Sequence, residues 1–154
     1  MIIEIRLATI RHIEDLLPLV CAYHEFEGVV QDQQTRRNAV AEMLMTPDFG
    51  YIWRIYSDDQ LAGYIAITLG YSIEFGGKDG FVDEFFLSTE FRGKGIGRKV
   101  LTKVLEQLRI DEVKALHLEV AQSNRRAREL YEALGFELRD QYHLMSCQLE
   151  EMKR

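Results

Sequence analysis

Apolar residues recur along this chain with two periods, and the switches between them mark its elements. Ile2 to Leu7 alternate as a strand does, after which Ile13, Leu16, Leu17, Val20 and Cys21 form one stripe of a helix that Pro18 is expected to bend or shorten. Glu25-Phe26-Glu27-Gly28 breaks that stripe. Asp32 is placed to cap a shorter helix marked by Val40, Met43 and Leu44, and Pro47-Asp48-Phe49-Gly50 ends it. Tyr51–Tyr56 and Leu61–Ser72 read as a hairpin about Ser57-Asp58-Asp59-Gln60, and a turn at Gly76–Gly80 leads to a strand over Phe81–Leu87. Next, Ile96, Val100, Leu101, Val104, Leu105 and Leu108 share one helical stripe. A short strand follows at Ala115–Val120. Ala127, Leu130, Tyr131 and Leu134 then mark a helix behind an Asn124 cap, with Gly135 at the position after its end. Phe136–Leu138 and Tyr142–Leu149 are predicted as closing strands. The pattern predicts one α/β (mixed α+β) domain over residues 1–154, a mixed sheet of about seven strands with helices on both faces.

Composition narrows the class. At 154 residues and 47% apolar content the chain can bury one good core, and it has two prolines and no linker-like run, so no internal boundary is expected. No window approaches the roughly 18 apolar residues of a spanning helix, so a soluble, cytoplasmic protein without membrane partners is expected. The pI near 5.3 argues against nucleic acid, which calls for a broad basic face. Cys21 and Cys147 form no disulfide framework and read as small core residues.

One stretch departs from this acidic background. Arg92-Gly93-Lys94-Gly95-Ile96-Gly97 joins the Phe81–Leu87 strand to its helix, and Arg92, Lys94, Arg98, Lys99 and Lys103 stand together without an acid in a chain of net charge -6. Glycines let the backbone approach a ligand, and the first amides of a helix lack intrahelical partners, so the turn suits an anion. It fits neither G-x-x-x-x-G-K-[ST] nor G-x-G-x-x-G.

The turn resembles the acyl-CoA motif [RQ]-x-x-G-x-[GA] of the GNAT superfamily of N-acyltransferases, through Arg92, Gly95 and Gly97. Asn124 to Tyr131 resembles that family's N-x-x-A-x-x-x-Y segment, and Ile5-Arg6-Leu7-Ala8-Thr9 resembles its opening R-x-A-T strand. The resemblance implies the GNAT fold and acetyl-CoA as acetyl donor. It also implies a pyrophosphate held by Arg92, Gly93, Lys94, Gly95, Ile96, Gly97 and Arg98, with Asn124 as a further contact. The pantetheine arm would pair with the backbone of Phe85, Phe86 and Leu87, in a gap opened by splaying of the strands on either side of the glycine-rich helix. Tyr23, Glu25, Phe26 and Glu27 would lie near the acceptor.

Acetyl transfer to an amine needs a base for the ammonium and an acid for the leaving thiolate. On Phe81–Leu87 the period-2 rule sends Asp83 and Glu84 to opposite faces, so only one can point at the acetyl group. Paired acids before two phenylalanines resemble the polyamine acetyltransferases of the family, whose base matches Asp83. Glu119 resembles the base of some N-terminal acetyltransferases. The order of preference is Asp83, Glu119, Glu84, with Glu74 a distant fourth, and a solvated carboxylate is the plain alternative for each. Tyr131 matches the family's acid, its plain alternative being a core tyrosine. Arg125, Arg126 and Arg128 read as a solvated helix face. No metal is expected, since His117 and Glu119 lack further ligands and His12, His24 and His143 follow no ligand spacing. The expected partners are a small polyamine, an aminoglycoside-like amine or a peptide amine, in that order, and a homodimer is allowed. The rival is a non-catalytic acyl-CoA-binding module.

Overall fold

The structure, a computed structural model, describes residues 1–150. Five strands lie side by side in chain order: β1 (Ile3–Leu7), β2 (Gly50–Ser57), β3 (Gln60–Ser72), β4 (Gly77–Leu87) and β5 (Ala115–His117). The first four pair antiparallel, and β5 joins β4 in parallel after the crossover helix α3 (Ile96–Ile110). Helices α1 (Ile13–Glu27) and α2 (Gln33–Met45) lie between β1 and β2 in the chain, and α4 (Arg125–Ala133) follows β5. The β2–β3 hairpin turns on Asp58 and Asp59, both at positive φ (47° and 64°), the signature of a two-residue turn whose twist matches the strands.

Strand alternation divides the core in two. Trp53, Ile55, Ile65 and Ile67 pack with Ile96, Val100, Leu101 and Val104 of α3, whereas Ile52, Tyr64 and Ala66 pack with Leu16 and Val20 of α1 and Val40 of α2. Val100, Leu101 and Val104 are fully buried, and truncating such a leucine costs about 2–5 kcal/mol. That packing fixes α3 and so fixes its N-terminal turn. Helix α1 runs on past Pro18 and ends at Gly28, which takes the left-handed conformation (φ 72°). Asp32 caps α2, accepting the Thr35 N–H at 2.8 Å.

Among the described residues the sheet has five strands rather than about seven. Residues 136–150 carry no strand, and Leu144, Met145 and Leu149 are exposed. Alternation supplies a face, but a strand exists only where its backbone finds a partner. The outer strand β5 offers three residues, and the strand expected over Ala115–Val120 stops at His117. Cys147, expected in the core, is therefore exposed, and Cys21 is half-buried. The turn before β4 also comes earlier than expected: Ile73–Gly76 make it, and Gly77–Gly80 already belong to the strand. Among the described residues no helix is long and apolar enough to cross a membrane.

Candidate active site

Strand β4 changes register midway. Ala66 pairs with Glu84 while the next residue, Ile67, pairs with Val82, which leaves Asp83 as an extra residue in the ladder. A bulge of this kind flips the alternation beyond it. Val82, Phe85 and Leu87 all pack on the α3 side, and Phe86 packs with α1. The expectation that strict alternation would send Asp83 and Glu84 to opposite faces does not hold here, because the bulge interrupts the alternation at Asp83. Burial first, then the charges of Glu27, Glu84 and Asp83, push the Tyr23 phenol up to about 12.

The same strand loses a neighbour at this point. The β4–β5 ladder covers only Asp79–Phe81 against Ala115–His117, so among the described residues one edge of β4 has no partner strand from Val82 to Leu87. The pairing of the two strands thus ends before the stretch at which the resemblance implies a gap.

The glycine-rich turn stands past the end of that edge. Gly93 (φ 73°) and Gly95 (φ 75°) are left-handed, which favours glycine at both. No side chain caps α3, and its first backbone bond runs from the Lys99 N–H to the Gly95 carbonyl at 3.4 Å. The amides of Ile96, Gly97 and Arg98 thus face out of the first turn, beside the exposed Lys94, Arg98 and Lys99. Gly97 is different. A Cβ there would sit 3.8 Å from Phe85 and 4.0 Å from Leu130, ordinary contacts, so the protein's own packing does not demand glycine. Arg92 points away from the turn amides: its guanidinium lies over the rings of Phe26 (5.0 Å) and Phe86 (5.2 Å), and its Nε donates to the Leu87 carbonyl at 2.7 Å. It ties the turn to β4 and to the end of α1.

The four acids have different surroundings. Glu84 accepts from the Tyr64 hydroxyl at 2.8 Å and from His24 Nε2 at 2.6 Å. Asp83 is exposed beside the β4 edge, and desolvation by its surroundings first, then the charge of Glu84, raise its carboxyl above the ordinary range, with His24 opposing and Glu119 adding the least. Glu119 is exposed, and Glu74 pairs with Arg139 at 3.7 Å, remote from this cluster in role. Tyr131 is half-buried on α4 against the α3 side of the core and Phe136, and burial raises its phenol above the ordinary tyrosine range. Tyr131 and Glu119 also line a cleft of about 830 Å³ between β5, α4 and residues 136–144, on which neither Asp83 nor the glycine turn borders. Asn124 caps α4 by accepting the Ala127 N–H at 3.1 Å. His117 lies against Asp79 (3.3 Å) and Phe75, and among the described residues no group of three or more His, Cys, Asp or Glu could hold a metal.

The family model of the "Acetyltransferase (GNAT) family" matches residues 13–136, most of the chain. The chain belongs to the GNAT acetyltransferase family. An uncharacterized N-acetyltransferase of Archaeoglobus fulgidus is 32% identical over 77% of this chain and 84% of its own length. The spermine/spermidine N(1)-acetyltransferase of Bacillus subtilis is 28% identical over 54% of this chain and 57% of its own length, so the chain spans little more than half of that relative. Among solved structures, an integron cassette protein from the mobile metagenome of Cole Harbour Salt Marsh superposes with a TM-score of 0.82 at 32% identity, covering 96% of this chain and 91% of that one.

Three residues bonded in or around this candidate site, His24, Arg36 and Tyr64, are not among those the sequence motifs single out. His24 and Arg36 are buried, and their signal was positional. Leu16, Val20 and His24 are spaced by four on α1, and Arg36 precedes Val40 by four on α2, so each is a polar residue on an apolar stripe.

The coupling of Asp83 to Glu119 is directly testable. A like charge nearby disfavours ionisation, so removing it must lower a raised carboxyl. In the intact protein the Asp83 side-chain carboxyl, followed by carbon NMR across pH, should titrate above the ordinary aspartate range, and Glu119→Gln should move the midpoint down. The low-pH limb of any activity that needs ionised Asp83 should move down with it. An ordinary midpoint indifferent to Glu119→Gln would show that the two acids do not share a groove.

Proposed function

We propose that this acetyltransferase moves the acetyl group of acetyl-CoA directly onto a primary amine of a small polyamine-like cation, with Asp83 as base and Tyr131 as acid. The observation that carries the reading is the unpaired edge of β4, which starts at the bulge holding Asp83 and runs toward the glycine turn. An extended chain bearing amides can complete that edge as a strand would. The Ile96, Gly97 and Arg98 amides suit a pyrophosphate, with Gly93, Lys94 and Gly95 shaping and charging the turn. Arg92 acts on the donor indirectly, by holding the turn against Leu87, and Asn124 presents the start of α4. Phe85 and Phe86 offer backbone along the edge, while the Leu87 carbonyl is already engaged by Arg92.

Acetyl-CoA supplies the activated acetyl group, and the protein handles the protons. An amine of pKa near 10 is neutral in about one molecule per thousand at pH 7, a handicap of roughly 4 kcal/mol. A carboxylate with a raised pKa is a better match to that proton than an ordinary one, which favours Asp83 among the acids. Tyr131, protonated near neutral pH as any phenol of ordinary or raised pKa is, can donate to the departing thiolate when held within hydrogen-bond reach. Asp83, Glu84 and Glu27 surround Tyr23 with negative charge, which suits a cationic acceptor, and the Bacillus subtilis relative is named for polyamine substrates. Aminoglycoside-like and peptide amines follow in order of preference. Glu119 is the alternative base, on the strength of sharing a cleft with Tyr131.

Gly97→Val tests the donor site. The fold has room for a side chain at this position, so thermal stability should change little while acetyl-CoA affinity, measured by calorimetric titration, falls at least tenfold. Unchanged affinity in a folded variant would remove the turn from the donor site.

Tyr131→Phe tests the acid. A general acid typically contributes 10²- to 10⁴-fold, about 3–5 kcal/mol of barrier, and the ring's packing is kept. Single-turnover acetylation should slow by at least a hundredfold with acetyl-CoA affinity intact. A rate within about threefold of the parent would reduce Tyr131 to a packing residue. Tight acetyl-CoA binding with no CoA release across a panel of amines would favour a non-catalytic binding module.

A further inference from the structure

Behind the acceptor side of the groove, four elements contribute to one hydrogen-bonded chain. Arg36 of α2 donates from Nε to His24 Nδ1 at 3.0 Å, His24 of α1 meets Glu84 Oε2 through Nε2 at 2.6 Å, and Tyr64 of β3 donates to Glu84 Oε1 at 2.8 Å. His24 and Arg36 are 7% and 8% exposed, so this is interior structure and not a surface pair. The geometry dictates the tautomer. A guanidinium can only donate, so Nδ1 must accept, and the ring proton must sit on Nε2, where it donates to Glu84. A further Arg36 bond, from Nη2 to the Gln31 carbonyl at 3.2 Å, holds the guanidinium itself.

Glu84 consequently has a fixed donor on each oxygen, while among the described residues no side chain or backbone group donates to Asp83. The two neighbouring acids are thereby built for different work. A carboxylate that accepts on both oxygens has a defined position, and a proton arriving there would weaken the bonds it accepts. A carboxylate without protein donors can take a proton and turn. Both lie near enough to Tyr23 for their charges to raise its phenol.

We propose that His24, set in one tautomer by Arg36, is a positioning residue of the acceptor site: it holds the Glu84 carboxylate as a fixed anionic contact for a cationic acceptor and leaves proton transfer to Asp83. The inference rests on the amine-acetylating reading above and adds to it a division of labour between the paired acids. Removing the imidazole should loosen acceptor binding without slowing the chemical step. Replacing it by an amide that can accept from Arg36 and donate to Glu84 should restore binding.

The experiment uses the intact protein saturated with CoA and spermidine as the probe, with binding read by calorimetry and folding by circular dichroism. His24→Leu should weaken spermidine binding at least tenfold, whereas His24→Gln should stay within about threefold of the parent. In steady state with acetyl-CoA saturating, His24→Leu should raise the KM for the amine by a similar factor and leave kcat within threefold. Tyr64→Phe deletes only the other donor to Glu84 and provides an independent check should His24→Leu fail to fold. It should also weaken spermidine binding with kcat kept. Unchanged binding in both His24→Leu and Tyr64→Phe, an equal defect in His24→Gln and His24→Leu, a loss confined to kcat, or a parent that does not bind spermidine each overturns the proposal. A parent that binds spermidine through this network yet never acetylates an amine would instead contradict the proposed reaction.

Discussion

The site depends on one extra residue in one strand. With strict alternation through Val82, Asp83, Glu84 and Phe85, Glu84 would project on the same side as Val82, into the core beneath α3. The bulge at Asp83 turns Glu84 toward α1, where His24 and Tyr64 receive it, and lets Phe85 and Leu87 pack with α3 as Val82 does. Just upstream the ladder to β5 ends at Phe81, so the strand is irregular on one edge and unpaired on the other over the same few residues. A sheet that closed fully here would be more regular and would have no groove.

The groove separates two electrostatic regions within an acidic chain. At one end the α3 turn presents unpartnered amides with Lys94, Arg98 and Lys99, and near the middle Asp83, Glu84, Glu27 and Glu119 concentrate negative charge. Such an arrangement suits an anionic donor entering from one side and a cationic acceptor from the other. Arg92 joins the two regions mechanically, lying across Phe26 at the end of α1 and Phe86 on β4 while bonded to Leu87.

What could be read from the sequence was what is local. The α3 stripe, the left-handed glycines before it, the Asn124 cap and the positive φ of Gly135 after α4 are all set by neighbours within a turn or two, and each stands where its pattern put it. The bulge could not be read, because it is a relation between β3 and β4 and leaves no mark in β4 alone. The closing strands misled for a related reason: Tyr142–Leu149 alternates well, yet alternation names a face and not a partner. The His24 network lay between. Its polar residues interrupt apolar stripes visibly, but the carboxylate they serve is 60 residues away.

The central claim is that the irregular, unpaired run of β4 is where the reaction takes place. A crystal structure of the complex with acetyl-CoA tests it most directly. The account predicts amides of the pantetheine arm bonded to the β4 edge between Val82 and Leu87, the pyrophosphate on the Ile96–Arg98 amides, and the thioester within hydrogen-bond reach of the Tyr131 hydroxyl on the side of Asp83. A thioester lodged instead in the cleft between β5 and residues 136–144, with the β4 edge left bare, would contradict it.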